Sequence, residues 1–390
     1  MLIFSHGRGC MEYLMTKEQK LAQKLFKEFA EREVKPIAKQ VDEEEYFPFE
    51  TVKKMGQIGM MGIPFPNEVG GAGGDYLTYI LAVEELAKVC ATTAIILSAH
   101  TSLCCEPIYR FGNDFQKRKY LIPLVKGAKI GAFALTEPNA GTDAANQQTT
   151  AKLQGENYIL NGTKIFVTNG GVADIYIVFA TTNRELGTKD ISAFIVEKDF
   201  EGFKIGKVEE KMGIRGSMTT EIVLENCMVP KENLLGAEGE GFKIALKTLD
   251  GGRIGVAAQA LGIAEGAIDE VLKYVKERKQ FNRPLSSFQG LQWYIAEMIT
   301  NTRAAKLLVY DAALKKDKGL LKSADASMAK KFASDNAMFV TTQAVQIFGG
   351  YGYMKDYPIE RMMRDAKITQ IYEGTNEVQK MVIANQYLRR

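Results

Sequence analysis

The stretch Tyr158-Ile-Leu-Asn-Gly-Thr-Lys-Ile-Phe-Val167 decides the fold class. Apolar and β-branched residues flank an Asn-Gly pair, a strong signal for a tight hairpin turn, so 158–160 and 164–167 read as two strands. Working outward, similar short β-rich runs occur at 130–135, 149–153, 175–180, 191–196 and 219–229. Several short strands with turn residues between them predict a small barrel or sandwich, not a parallel βαβ sheet. The period is helical on both sides of this block. Toward the N-terminus, Thr16 can cap a helix whose stripe is Leu21, Leu25, Phe26, Phe29 and Val34, ended by Pro36, and helical patterns follow at 49–60, 76–89, 92–111 and 114–126. Beyond Gly239, long helices are expected at 240–277, 285–315, 319–348 and 375–388, punctuated by Pro284 and Gly349-Gly350, which suggests a bundle. The expected layout is therefore α+β. A leader, expected to be disordered, covers 1–14, with Met11 and Met15 as alternative starts. A helical domain covers 15–128, a β domain 129–238, and a four-helix bundle 239–390.

Composition narrows the chemistry. The 390 residues are 46% hydrophobic and 25% charged, with a net charge of +3 and no long like-charge block, which argues against a nucleic-acid footprint. The five cysteines form no C-x-x-C pair and there are only two histidines, His6 and His100, too few clustered ligands for a zinc site. A disulfide framework is not expected, so a reducing, cytoplasmic setting fits; the N-terminus has no clear mitochondrial transit peptide. No apolar run reaches the ~18 residues of a membrane span. With so few histidines, acid–base work falls to carboxylates.

The foremost candidate is Glu373, in Ile371-Tyr-Glu-Gly-Thr-Asn-Glu377. A carboxylate among apolar and small residues can be desolvated, which raises its pKa and suits it to take a weakly acidic proton. Read alone, the run is weak evidence and reads more readily as a solvated helix start, since Thr375 and Asn376 are good N-caps. Three other segments carry chemistry. The loop Phe133-Ala-Leu-Thr-Glu-Pro-Asn-Ala-Gly-Thr-Asp143 offers backbone N–H groups and the hydroxyls of Thr136 and Thr142 to an anionic ligand, or is a simple turn. Phe166 and Thr168, two apart on a strand, are expected to share a face that can flank a planar heterocycle, or to be core. Arg278, at a helix end, can grip a pyrophosphate or complement the helix dipole, and Gln346-Ile-Phe-Gly-Gly350 allows close backbone approach or is an ordinary cap. The glycine cluster 70–74 follows no strand and precedes no Gly-Lys-Ser/Thr, and reads as a loop.

In order and spacing these motifs resemble the acyl-CoA dehydrogenase family over about residues 17–388. The segments that carry the resemblance are 134–143, Phe166-Val-Thr168, Lys211-Met-Gly-Ile-Arg-Gly-Ser217, Asp250-Gly-Gly-Arg253, Arg278 with Phe281, Gln289, 346–350 and Tyr372-Glu-Gly-Thr375. The run 249–264 is most similar to the short-chain, butyryl-CoA branch. The resemblance implies an N-terminal helical domain, a central β-barrel or sandwich and a C-terminal four-helix bundle. It also implies non-covalent FAD and a homotetramer built as a dimer of dimers. By position, Phe133, Leu135, Thr136, Gly141, Thr142, Phe166 and Thr168 would line the flavin, continued by Thr375 and Glu377. Arg278, Phe281, Gln289, Gln346, Gly349 and Gly350 would reach FAD across the dimer interface. Thr142, Asp250, Arg253 and Gly374 would contact acyl-CoA. Many relatives have Trp at the position of Phe166, and Gly at that of Asn282.

What the resemblance implies chemically is removal of a Cα proton from a short-chain acyl-CoA by Glu373. Hydride transfer to FAD then gives trans-2-enoyl-CoA, with electrons passing to an electron-transferring flavoprotein. Some relatives place the base at the position of Gly252, where glycine cannot serve. The alternatives are an enoyl-CoA reductase running backward, an oxygen-using oxidase, and a catalytically silent scaffold of the same fold.

Overall fold

A computed structural model of the chain describes residues 15–182 and 187–388, so the expected leader lies outside the described residues. The N-terminal third is helical: α1 (Lys17–Phe29), α2 (Ala38–Glu43), α3 (Phe49–Gln57), α4 (Tyr76–Ala87), α5 (Ala91–Ser98), α6 (Glu106–Phe111), α7 (Asp114–Gln116) and α8 (Ile122–Val125). Thr16 caps α1 in a reciprocal capping box with Gln19. The helix expected to end at Pro36 instead widens into a π turn at 30–34 and continues into α2. Further π turns span 99–105 and 117–121. Each of the three lies two residues before a proline: Pro36, Pro107 or Pro123. Proline donates no N–H and its ring crowds the preceding turn, and a widened turn relieves both.

Among the described residues, eight strands then form one sheet: β1 (Gly131–Ala134), β2 (Thr150–Gln154), β3 (Asn157–Val167), β4 (Ile175–Thr181), β5 (Ile191–Glu197), β6 (Phe203–Val208), β7 (Thr220–Pro230) and β8 (Leu234–Leu235). The order is β6-β7-β3-β2-β4-β5-β8, with β1 parallel to β4. Alternate faces of β4 serve two cores. Ile175, Ile177 and Phe179 pack on Ile108, Leu121 and Leu124 of the helices, while Tyr176, Val178 and Ala180 join the sheet's own core with Leu160, Ile222 and Leu224. The hairpin expected at Asn161-Gly162 is absent. β3 runs straight through with a bulge there, and Asn161 bonds Asn226 on β7 instead (Asn226 N to Oδ1, 2.7 Å). The hairpin turn is Gly155-Glu156, between β2 and β3.

The last third comprises α9 (Gly241–Glu277), a hairpin of β9 (Lys279–Gln280) and β10 (Arg283–Pro284), α10 (Gln289–Asp317), α11 (Ser323–Phe348), α12 (Ile359–Thr369) and α13 (Asn376–Leu388). The sequence reading missed α12, although Pro358 followed by Ile359, Met362, Met363 and Ala366 has a helical start and period. The middle of α9 is buried on all sides and shares one core with α1, α4, α5, α10 and α11, so the first and last thirds are packed together.

The motif 211–217 clasps the three parts of the molecule. Ile214 N donates to Asp365 Oδ1 of α12 (2.5 Å). The Arg364 guanidinium bonds Asp42 of α2 in bidentate fashion (2.9 and 2.6 Å) and also donates to Met212 O (3.0 Å). A Cβ on Gly213 would stand 2.6 Å from the Arg364 carbonyl carbon, so only glycine allows this approach. Burial pushes the Asp365 carboxyl up to about 6.

Candidate active site

Glu373 sits in the turn between α12 and α13 with φ +54°, a backbone conformation that side chains other than glycine rarely adopt. The turn is held from several sides. Gln379 Nε2 donates to Gly374 O (2.8 Å) and Glu373 O (3.3 Å), and Arg253 Nε reaches Glu373 O at 3.5 Å. Asn376 N donates to Gln370 O (3.0 Å), and the Tyr372 hydroxyl bonds Gln259 Oε1 on α9. The backbone N–H of Glu373 donates to no group among the described residues.

The residue is partly exposed as a whole, but its carboxylate Oε2 is sealed from solvent with no hydrogen-bond partner. Burial pushes the carboxyl up to about 7, against the pull of Arg253 and Lys330 toward the ionised form. Opposite it lies Gly252 of α9. A Cβ there would collide with Glu373 Oε2 and stand 2.7 Å from Leu103 Cδ2. One turn along α9, Gly255 faces Ser98 Oγ and Tyr79 OH, and the Tyr76 hydroxyl donates to Gly251 O (2.7 Å). The carboxylate therefore meets a glycine face on α9 and the tyrosines of α4.

Asp250 and Arg253 are buried and paired at 3.0 Å, and Ser323 Oγ donates to Asp250 (2.7 Å). Thr375 caps α13, its Oγ1 accepting from Val378 N at 3.4 Å, while Glu377 is exposed on the first turn. In the β domain, Phe133, Leu135 and Thr136 are half-buried at the end of β1, and Gly141 and Thr142 are exposed in the loop that follows. A buried ion pair that sequence reasoning missed shapes this loop. Lys164 Nζ bonds Glu137 (2.7 Å), Gln147 Oε1 (2.9 Å) and Leu135 O (3.1 Å), and Glu137 accepts from Gln148 N and Thr149 N. Burial lowers the Lys164 ammonium to about 8 despite Glu137. The strand alternation that was expected to put Phe166 and Thr168 on one face is broken. Phe166 has φ +57° in a bulge between Lys164 and Val167, and the residue is 62% exposed. A bare ring, partly exposed threonine hydroxyls and a loop whose Gly141 has nothing within 4 Å of a Cβ fit a planar, anionic dinucleotide such as FAD.

Arg278, Phe281, Gln289, Gln346, Gly349 and Gly350 are all exposed and gather away from Glu373. Arg278 caps the end of α9, roughly 39 Å along the helix from Gly252 at 1.5 Å per residue. It lies 5.5 Å over the Tyr351 ring, in a cleft of about 510 Å³ lined also by Tyr274, Phe348, Gly349 and Gly350. Phe281 and Asn282 form the two-residue β9–β10 turn with φ +51° and +59°; asparagine tolerates this conformation well, so the turn is kept without glycine. A second, wider cleft of about 1250 Å³ between α1, α9, α10 and α12 is lined by none of these residues. It borders a buried charge cluster in which Lys306 bonds Glu84 (2.8 Å) and Glu265 (2.9 Å).

Comparison with known proteins fits this geometry. Models of the acyl-CoA dehydrogenase N-terminal, middle and C-terminal domains match residues 16–128, 132–227 and 239–388. A short-chain-specific acyl-CoA dehydrogenase of Clostridium acetobutylicum is 63% identical over 97% of this chain and 100% of its own length. Butyryl-CoA dehydrogenase from Megasphaera elsdenii superimposes with a TM-score of 0.95 at 54% identity, over 96% of this chain and 99% of that one. A chain from the structural study of the electron transferring flavoprotein of Acidaminococcus fermentans gives 0.96 at 58% identity, over the same shares. With all three domain models matched in order around the turn that carries Glu373, the chain belongs to the acyl-CoA dehydrogenase family.

Proposed function

We propose that the chain is a FAD-dependent dehydrogenase of short-chain acyl-CoA thioesters, with Glu373 as its base. The observation that carries this reading is the sealed, unpartnered Glu373 Oε2 facing Gly252, on a carboxyl whose pKa stands near 7. A carboxylate in that state takes a proton from carbon far better than a solvated one, because its proton affinity is matched to neutral pH. The Cα proton of a thioester is acidic enough only when the thioester oxygen is polarised. The free Glu373 N–H supplies one donor next to the base, and a donor aimed at developing enolate charge is worth about 2.7–4 kcal/mol. FAD, when bound, would supply the hydride acceptor and the outlet for electrons to an electron-transferring flavoprotein. Phe166, Thr136, Thr168 and the 133–142 loop hold its flavin end, with Thr375 and Glu377 continuing that site, and Arg253, Asp250, Thr142 and Gly374 orient the acyl-CoA.

Near pH 7 both forms of Glu373 are populated, so the same carboxyl returns a proton when the reaction runs backward as enoyl-CoA reduction. The exposed Arg278, Phe281, Gln289, Gln346, Gly349 and Gly350 suit FAD held across a dimer interface. Phe281 at 88%, Tyr353 at 80% and Trp293 at 64% exposure leave apolar surface that a homotetramer would cover. The free, buried thiols of Cys90, Cys104, Cys105 and Cys227 suit a reducing cytoplasm.

The test is anaerobic bleaching of the yellow protein by acyl-CoA thioesters of four, five and eight carbons. The four-carbon thioester should bleach fastest. A protein that binds no FAD, or whose flavin no acyl-CoA bleaches, overturns the reading.

A further inference from the structure

Lys330 occupies a core position of α11. It falls on the helical stripe Ala326, Ala333 and Ala337, all buried, and is itself 0% exposed. Among the described residues its ammonium forms no direct ion pair. Nζ donates to two neutral oxygens of the base's own turn, Gly374 O (2.9 Å) and Asn376 Oδ1 (2.9 Å). Asn376 is fixed in turn, donating from Nδ2 to Ser334 Oγ (2.9 Å) and Asp335 Oδ1 (2.7 Å), and Asp335 also accepts from Gln370 Nε2 (2.7 Å). Burying a lysine against neutral acceptors costs stability that an alanine here would not. That cost has no packing rationale on a stripe of small residues, but it has one at the turn.

We infer that Lys330 is a positioning residue for the base: it fixes the 373–376 turn through Gly374 and Asn376 and sets a cation beside the Glu373 carboxyl. The inference rests on the reading of Glu373 as the base. The turn needs such support because Glu373 is held at positive φ, and a strained conformation persists only where its surroundings over-determine it. The charge matters because few groups facing Glu373 are cationic. α9 presents Arg253 and Asp250; α4 presents Tyr76 and Tyr79; α10 presents Lys316, which lies over the Tyr76 ring and is paired with Glu106 at the start of α6 (2.8 Å); α11 presents Lys330 and Asp335; Tyr372 and Glu377 flank the turn. Among the described residues, Arg253 and Lys330 are the cations that favour the carboxylate, so without Lys330 that pull falls to Arg253, already paired with Asp250. Glu373 would then hold its proton to higher pH, and a base that must be ionised to act would lose activity on the acid side first.

The experiment is the kcat–pH profile of the FAD-loaded protein with butyryl-CoA for two variants. Lys330→Gln keeps a donor toward Gly374 O and removes the charge; Lys330→Met removes both. Lys330→Gln should move the acid limb up by about one pH unit, as expected for loss of a neighbouring cation. Lys330→Met should lower the plateau by roughly 10- to 100-fold with KM little changed, as expected for a misaimed base. Independently of turnover, amide hydrogen exchange over 371–378 should quicken more in Lys330→Met than in Lys330→Gln. A wild-type acid limb in Lys330→Gln overturns the inference, and that variant decides alone if Lys330→Met does not fold. Glu373→Gln, run alongside, separates the two layers. If it is active, the base assignment falls and this inference with it; if it is inactive while the Lys330 variants behave as wild type, only Lys330 is refuted.

Discussion

The two ends of α9 are built differently. Around Gly252 the chain closes on itself: Glu373, Leu103, Tyr76, Tyr79, Arg253 and Lys330 come from five segments of one chain, and most are buried. Around Arg278 the same helix emerges into an open cleft beside a bare Phe281 ring. The closed end sets proton affinity through desolvation, which one chain can arrange alone. The open end offers a cation, an aromatic ring and a glycine turn on the surface, which suit a large ligand or a second subunit. Proton chemistry and cofactor retention should therefore separate under mutation.

The largest effect belongs to the closed end. Glu373→Gln should cut kcat by about a hundred- to ten-thousand-fold, the range for loss of a positioned base, while the purified protein stays yellow. Loss of the bound flavin in that variant would break the comparison. Gly252→Ala comes next: its methyl group would displace the Glu373 carboxylate, and a misplacement of about 1 Å can cost roughly a hundredfold in kcat. Arg278→Ala probes the open end. Losing a charged hydrogen-bond donor should weaken FAD retention by about 10- to 100-fold, read from flavin release on dilution, with kcat at saturating FAD nearly unchanged. A fall in kcat equal to the loss of FAD affinity would mean that the two ends are coupled.

Smaller effects sharpen the picture. His100 is buried in the same π turn as Leu103, accepting from Gly131 N (3.1 Å) and donating to Leu124 O (3.2 Å), and burial lowers its pKa to about 4. Its folded value lies below the unfolded one, so between about pH 6.5 and 4 the unfolded chain binds the extra proton and the fold loses stability as pH falls. In urea melts over that window, His100→Gln should flatten the decline relative to wild type. At the open end, Asn282→Gly should change stability by no more than about 0.5 kcal/mol, since either residue suits the turn.

These sites were unevenly legible in the sequence. The helix–sheet–helix order was plain because each block is long enough for its period to show. Asn161-Gly162 misled because a local turn signal was overridden by pairing with β7, which extends past both residues. Phe166 misled for a related reason: period-two reasoning assumes an unbroken strand, and the bulge breaks it. Glu373 stood out by its neighbours, but its orphan oxygen depends on a helix more than a hundred residues earlier in the chain, which no local window contains. Lys330 had a readable sign, a charged residue at an apolar position of a helical stripe. Lys164 and Glu137 had none, since their pairing is made by tertiary structure.

The missing side chain at 252 also constrains how such a catalyst can evolve. The volume that a side chain there would take is filled by the carboxyl from 373, so the two positions compete for one space. A lineage moving its proton acceptor from the α12–α13 turn to α9 must pass either through a crowded protein carrying both groups or through an idle one carrying neither.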